Sequence, residues 1–159
     1  MTFQSAGPVI FGGGVSSVTA TRGANDPEVG ARITVGSEEY VYVYNAGTSA
    51  IPPGHAAICS ASVGGAYNVT VSSVSGTDLA IGVCKHASIA TNAYGWLVTR
   101  GFVAVEMGAN YSAVAGSPLT LGTDGVFDIV SGFTGTLGAV GKAQSAIASG
   151  ASGQAYIRC

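Results

Sequence analysis

From residue 32 onward the chain alternates between polar and apolar side chains with the two-residue period of half-buried strands. Arg32-Ile33-Thr34-Val35 carries the pattern first. Glu38-Glu39-Tyr40-Val41-Tyr42-Val43-Tyr44-Asn45 then places Tyr40, Tyr42 and Tyr44 on one face of a strand and Val41 and Val43 on the other. Further runs rich in β-formers cover residues 55–60, 67–74, 79–84, 96–107, 118–121 and 126–130. Pro52-Pro53-Gly54 fits a type II turn, because Pro53 fixes φ at the second position and Gly54 accepts the positive φ that follows. Asp124-Gly125 signals a tight hairpin, since both residues tolerate positive φ. The alanine-rich stretches 87–93 and 143–148 read as single turns or loops, and elsewhere no segment sustains a helical period. The pattern predicts an all-β fold.

A faint internal repeat refines that expectation. A turn glycine opens a strand at Gly54-His55-Ala56-Ala57-Ile58 and again at Gly116-Ser117-Pro118-Leu119-Thr120. An apolar residue followed by glycine comes at nearly the same interval after each turn glycine, as Ile81-Gly82 in the first copy and Val140-Gly141 in the second. A further glycine follows at matched spacing, as Gly95 and Gly153. Each copy ends in a short strand, Trp96-Leu97-Val98 or Ala155-Tyr156-Ile157. Matched intervals of this kind predict two similar β units closed on one another as a small barrel or sandwich, with the glycines serving bulges and sharp bends.

The start of the chain differs. Residues 1–30 contain Gly12-Gly13-Gly14, Pro8 and Pro27, and their apolar residues follow no sustained period. They are expected to form an extended N-terminal arm ahead of a β domain at 31–159. Such an arm is either a disordered tail or a segment that orders on a neighbour, with Phe3, Ile10 and Phe11 as its apolar anchors.

Composition removes several function classes. Charged residues make up 9% of the chain, against roughly 25% in ordinary soluble domains, and the net charge is -2. A surface so poor in charge is expected to be covered in large part by partners. The six Lys and Arg are scattered singly, which leaves no cluster to neutralise several phosphates, so no nucleic-acid partner is expected. No apolar run approaches the ~18 residues of a membrane span, and no basic segment precedes an apolar run at the start, so neither a membrane partner nor a classical export signal is expected. Three cysteines, Cys59, Cys84 and Cys159, form neither an even disulfide framework nor a CxxC pair, which fits a reducing place of synthesis.

Catalysis and metal binding fare no better. His55, Cys59, Cys84 and His86 are potential zinc ligands, but His55 and Cys59 on one strand would stand about 13 Å apart. No Gly-x-Ser-x-Gly elbow lies near either histidine, and Gly12-Gly13-Gly14 lacks the strand, helix and lysine of a phosphate cradle. The expectation is a protein without enzymatic activity, cofactor or metal.

Four segments carry a family likeness: Ala80-Ile81-Gly82-Val83-Cys84-Lys85-His86-Ala87; Gly95-Trp96-Leu97-Val98-Thr99-Arg100-Gly101-Phe102-Val103-Ala104-Val105; Gly116-Ser117-Pro118-Leu119; and Val140-Gly141-Lys142-Ala143-Gln144-Ser145-Ala146. In this succession the chain resembles the capsid decoration, or cement, proteins of tailed bacteriophages, over residues 38–159. The resemblance implies a compact β domain, usually a homotrimer, that binds the major capsid protein between capsomers on the outer capsid surface and stabilises the head after assembly in the host cytoplasm. It also implies an N-terminal fastening arm, although the long glycine-rich start departs from the commonest pattern. On this view Tyr40, Tyr42 and Tyr44 pack across strands or form an oligomer interface. The competing reading is a tail-associated or carbohydrate-binding module, in which the same tyrosines and Trp96 would form a sugar-stacking platform.

Overall fold

Strands form where the alternation is strongest. The computed structural model describes residues 14–24, 26–60, 65–71, 79–129 and 139–159. Among them run β1 (Arg32–Val35), β2 (Glu38–Asn45), β3 (Ala56–Cys59), β4 (Asn68–Val71), β5 (Ala80–Cys84), β6 (Tyr94–Glu106), β7 (Pro118–Leu121), β8 (Phe127–Ile129), β9 (Gly141–Ala143) and β10 (Ser152–Arg158). They join in one sheet ordered β1-β2-β4-β3-β5-β6-β10-β9-β7-β8, and a further β2–β6 pairing closes its first part into a ring. The fold is all-β, as the alternation predicts.

The repeat is real, and it is a repeat of pairing register. In the first unit Ala57 faces Val71 on one side and Gly82 on the other; in the second, Leu119 faces Ile129 and Gly141. Cys84 opposes Leu97 as Ala143 opposes Ala155, and Val43 opposes Gly95 as Val105 opposes Gly153. The parallel pairing of Asn45 with Val69 recurs as the parallel bridge between Met107 and Phe127, which closes the second ring. Each unit is thus a ring of five strands, the first closed by the β2–β6 ladder and the second only by that single bridge. The long strand β6 serves both, ending the first ring with its N-terminal half and opening the second with its C-terminal half.

Apolar side chains fill the two rings separately. Val41, Val43, Ile51, Val69, Ile89 and Leu97 pack inside the first. Val103, Val105, Leu119, Phe127, Ile147 and Ile157 pack inside the second, and the same cluster takes in Ala56, Ile58 and Val83 from the outer side of the first ring. This shared cluster holds the units together, because it buries apolar surface that either ring alone would expose to water. His55 adds a polar tie: its Nδ1 lies 2.7 Å from the carbonyl of Asp124 and its Nε2 3.2 Å from the Glu106 carboxylate. Asn45 is fully buried and satisfied, its amide donating to the carbonyls of Ser49 and Ile89 and its oxygen accepting from Gly47 N–H. A buried amide tolerates this environment only because those bonds replace water.

The bulge that the sequence predicts at the repeat glycines is present beside Gly82, where the β3–β5 register shifts, but bulges and bends do not account for Gly95, Gly141 or Gly153. Gly95 and Gly153 lie within β6 and β10, where a Cβ would come 2.8 Å from Ile89 and 2.5 Å from Ile147. Gly82 and Gly141 face Leu97 and Ile157 just as closely. Close approach, rather than a bend, excludes a side chain there. The alanine-rich loops explain why. They form no helix; each drops one isoleucine, Ile89 or Ile147, into its ring and bridges it to Ile51 or Ala113. The turn glycines behave as predicted, with φ of 87° at Gly54 and 89° at Gly116, and His55 N–H bonding to the Pro52 carbonyl across the type II turn. Asp124 and Gly125 also take positive φ, within a short 3-10 turn at Thr123–Gly125 that joins β7 to β8.

Gly153→Ala and Gly95→Ala should each lower stability by about 1–3 kcal/mol through overpacking. In a double-mutant cycle measured by chemical denaturation, the alanine should cost less when the facing isoleucine is also replaced, as Ile147→Ala or Ile89→Ala. Strict additivity would show that the isoleucine does not occupy the glycine's missing side-chain space.

Candidate functional site

The tyrosine face of β2 is the first place to look, and the chain itself covers it. Tyr40 and Tyr42 are 2% and 3% exposed and cluster with Trp96 and Val98, with Val15, Ala31 and Ile33 packed against them. The segment preceding β1 is fixed there by backbone bonds, Thr19 exchanging two with Tyr94 while Gly30 and Ala31 bond Tyr42. The expected cross-strand packing is present: Tyr42 and Tyr94 stack at 6.0 Å, and Tyr44 meets Tyr94 at 4.8 Å. A sugar platform or a second copy would meet only Tyr44 and Tyr94, which are half-buried, because Tyr40 and Tyr42 lie beneath the chain's own segment. The later half of the predicted arm is therefore part of the domain surface. Phe3, Ile10 and Phe11 lie outside the described residues.

At the edge of this ladder sits a polar cluster. Lys85 Nζ is paired with the Glu38 carboxylate, which also accepts a hydrogen bond from Tyr40 Oη. His86 stacks on Tyr40 with its Nε2 3.4 Å from the same hydroxyl. Burial works against the charged form of Glu38, but the bonds from Lys85 and Tyr40 outweigh it and hold the carboxyl below its usual range. Burial, helped by the Lys85 charge, also holds His86 below the ordinary imidazole value.

The potential zinc ligands are dispersed. His55 is engaged by the second unit, His86 by Tyr40, and the buried Cys84 thiol donates to the Ala87 carbonyl, with burial pushing its pKa up to about 11. Among the described residues no three His, Cys, Asp or Glu stand close enough to hold a metal ion, and the three cysteines are free thiols.

The repeat points to a different surface. In the first unit a row across four strands runs Ala56, Val83, Val98, Tyr40, each directly opposite the next and all buried. Its counterpart in the second unit is Pro118, Lys142, Tyr156, Phe102. Directly opposed residues share a face. Here that face is open: Phe102 is 48% exposed, Lys142 is exposed and Tyr156 half-buried. Phe102 and Tyr156 meet edge to face at 5.2 Å. One step along the strands Arg100 opposes Arg158, and both are exposed. Arg100 donates to Tyr156 Oη at 3.1 Å and pairs with Glu39 at 3.2 Å. Thr34, Gly36 and Ser37, from β1 and its turn into β2, complete a cleft of about 350 Å³ beside this group.

None of these residues carries a site signal in the sequence read strand by strand. Superposing the two copies would expose them, because Val83 and Val98 of the first unit give way to Lys142 and Tyr156 in the second.

In comparisons with known proteins, no family model matches the chain and no curated protein is similar to it in sequence. A solved structure is similar in fold. It is the head fiber gp8.5 N base of bacteriophage phi29, which superposes with a TM-score of 0.54 at 16% identity over 74% of this chain and 93% of the other. At that identity the likeness establishes a shared fold.

Stability should fall in two steps on acidification. His86 and Glu38 both have folded pKa values below their ordinary ones, so each contribution is complete above the unfolded value, ~6.5 or ~4.3, and is lost as pH drops through the folded one. His86→Gln should remove the upper step and Glu38→Gln the lower, with Glu38→Gln costing about 1–2 kcal/mol near neutral pH. Denaturation midpoints against pH measure both, and a wild-type profile shared by the variants would contradict the assignment.

Proposed function

We propose that this protein is a structural component of a bacteriophage head, a decoration or cement protein fixed to the outer capsid surface, with the major capsid protein as its partner and no catalytic role. The observation that carries the reading is the fold it shares with the head fiber base, which extends over nearly the whole of that chain. The near absence of charge supports it from another direction. A surface of Ser, Thr, Ala and Gly gives little affinity at any one contact, but repeated attachment to a symmetric shell multiplies weak contacts into lasting binding. A homotrimer at a three-fold position of the shell matches that requirement, and assembly onto heads in the host cytoplasm matches the free thiols.

The arm enters this proposal in reduced form. Val15 packs on the Tyr40 and Tyr42 cluster, and Thr19 and Gly30 bond to Tyr94 and Tyr42, so deleting all of 1–30 would damage the domain as well as the arm. Only the stretch with Phe3, Ile10 and Phe11 is left as a separable anchor.

Purified protein mixed with heads of the encoding phage that lack it should bind saturably, and electron cryo-microscopy should place it on the shell exterior. A variant without residues 2–13 should fold normally and bind with lower occupancy if the anchors contribute. Failure of the intact protein to be retained on heads would overturn the head-protein reading, whereas unchanged occupancy of the shortened form would remove only the arm.

A further inference from the structure

The repeat sets the open face of the second unit apart from its buried counterpart in the first. We infer that the face built on Phe102 and Tyr156 and ringed by Arg100, Lys142 and Arg158 is the surface by which this protein docks on an acidic patch of the capsid shell. The inference rests on the head-protein reading and adds to it the docking face and the chemistry of what meets it.

Three observations carry it. The first is equivalence: the matching row in the first unit is covered along its length, at Ala56 and Val83 by the second unit and at Tyr40 and Val98 by Val15, Ala31 and Ile33. The same strand geometry ends in the second unit on an exposed aromatic pair. A merely solvated end to a repeat needs polar side chains and has no use for an edge-to-face Phe–Tyr pair at its centre.

The second is charge. The chain has six Lys and Arg, and Arg100, Lys142 and Arg158 stand together on this one face. Arg100 is partly neutralised by Glu39, while Lys142 and Arg158 have no ion pair among the described residues. In a chain of net charge -2 the face is locally cationic, so it complements carboxylates.

The third is the mismatch of two other occupants. A second copy presenting the same face would set like charges against one another. Residues 1–13 contain no acidic side chain and would leave the cations unpaired. An acidic surface with an apolar depression satisfies both features, because the aromatic pair supplies buried area and the cations supply orientation and on-rate.

The test uses the full-length protein and heads that lack it. Phe102→Ala and the double reversal Lys142→Glu/Arg158→Glu replace exposed side chains, so both variants should keep the wild-type denaturation midpoint. Each should bind heads at least tenfold more weakly. Wild-type affinity should fall as ionic strength rises from about 0.05 to about 0.5 M, and the double reversal should lose that dependence. If wild type binds heads and both variants bind equally well, the face is not the docking surface and the head-protein reading stands. If wild type fails to bind, the reading falls and the face with it. If Phe102→Ala leaves head binding intact but abolishes retention on an immobilised polysaccharide that holds the wild type, the face serves a sugar and the acidic protein partner is overturned.

Discussion

Strand β6 has to finish one ring and begin another without a break, and the position of everything else follows from how it does so. At Arg100 the strand is paired with Glu39 of β2 on one side and with Arg158 of β10 on the other. The next residue is Gly101, with φ of 130° and with Glu38 packed where a Cβ would stand, its side chain 2.8 Å from that point. No residue with a side chain takes that conformation at low cost. At this residue the strand passes from one ring to the next, and the outer side of β3 and β5 lies against the second unit, where Ala56, Ile58 and Val83 join its core. A ring of five short strands encloses few side chains, and a lone unit of this size would bury a smaller share of its surface than the two together. Sharing a strand and a core cluster solves that problem for both units at once.

The same arrangement makes the two copies chemically unlike. Equivalent register gives them equivalent backbones, but the row Ala56, Val83, Val98, Tyr40 is buried in the first unit, while its counterpart in the second is open at Phe102 and Lys142. Where the first unit can use Val83 and Val98, the second carries Lys142 and Tyr156. Asn45, fully bonded inside the first unit, corresponds to Met107, which is apolar and as deeply buried in the second. The copies keep the pairings that define the ring and differ wherever a side chain meets something outside it.

How much of this was legible beforehand divides along the same line. The alternation of β2, the turn at Gly54, the positive φ at Asp124 and Gly125 and the matched glycine intervals are local features, and local physics determines them. Even the repeat is a one-dimensional signal. The matched intervals predict closure into a barrel or sandwich, but that each unit closes by itself was not legible, because it depends on β2 meeting β6 across the whole of β3, β4 and β5. Nor was the fate of the tyrosines, whose alternation marks two faces of a strand without saying which face the chain will cover. The reason for Gly95 and Gly153 was hidden too, since the isoleucines that exclude their side chains come from loops that look like featureless alanine and serine. The open face was the least visible part. Phe102 and Tyr156 are far apart in sequence and become neighbours only through the β6–β10 register.

Low overall charge and a cationic face are two aspects of one design. When nearly all of a surface is neutral and built from small side chains, no part of it competes strongly for a charged partner, and a few grouped cations decide orientation. Scattering the same charges evenly would make any approach about as favourable as any other. In the proposed docking, placing Arg100, Lys142 and Arg158 around an aromatic pair couples a long-range preference to a short-range one: the cations would select the approach, and Phe102 would reward only the approach that also excludes water from its ring. In the proposed setting, where every copy meets the same lattice, a modest orientational preference of this kind is repeated at each attachment, and the sparse charge of the sequence becomes the source of its selectivity.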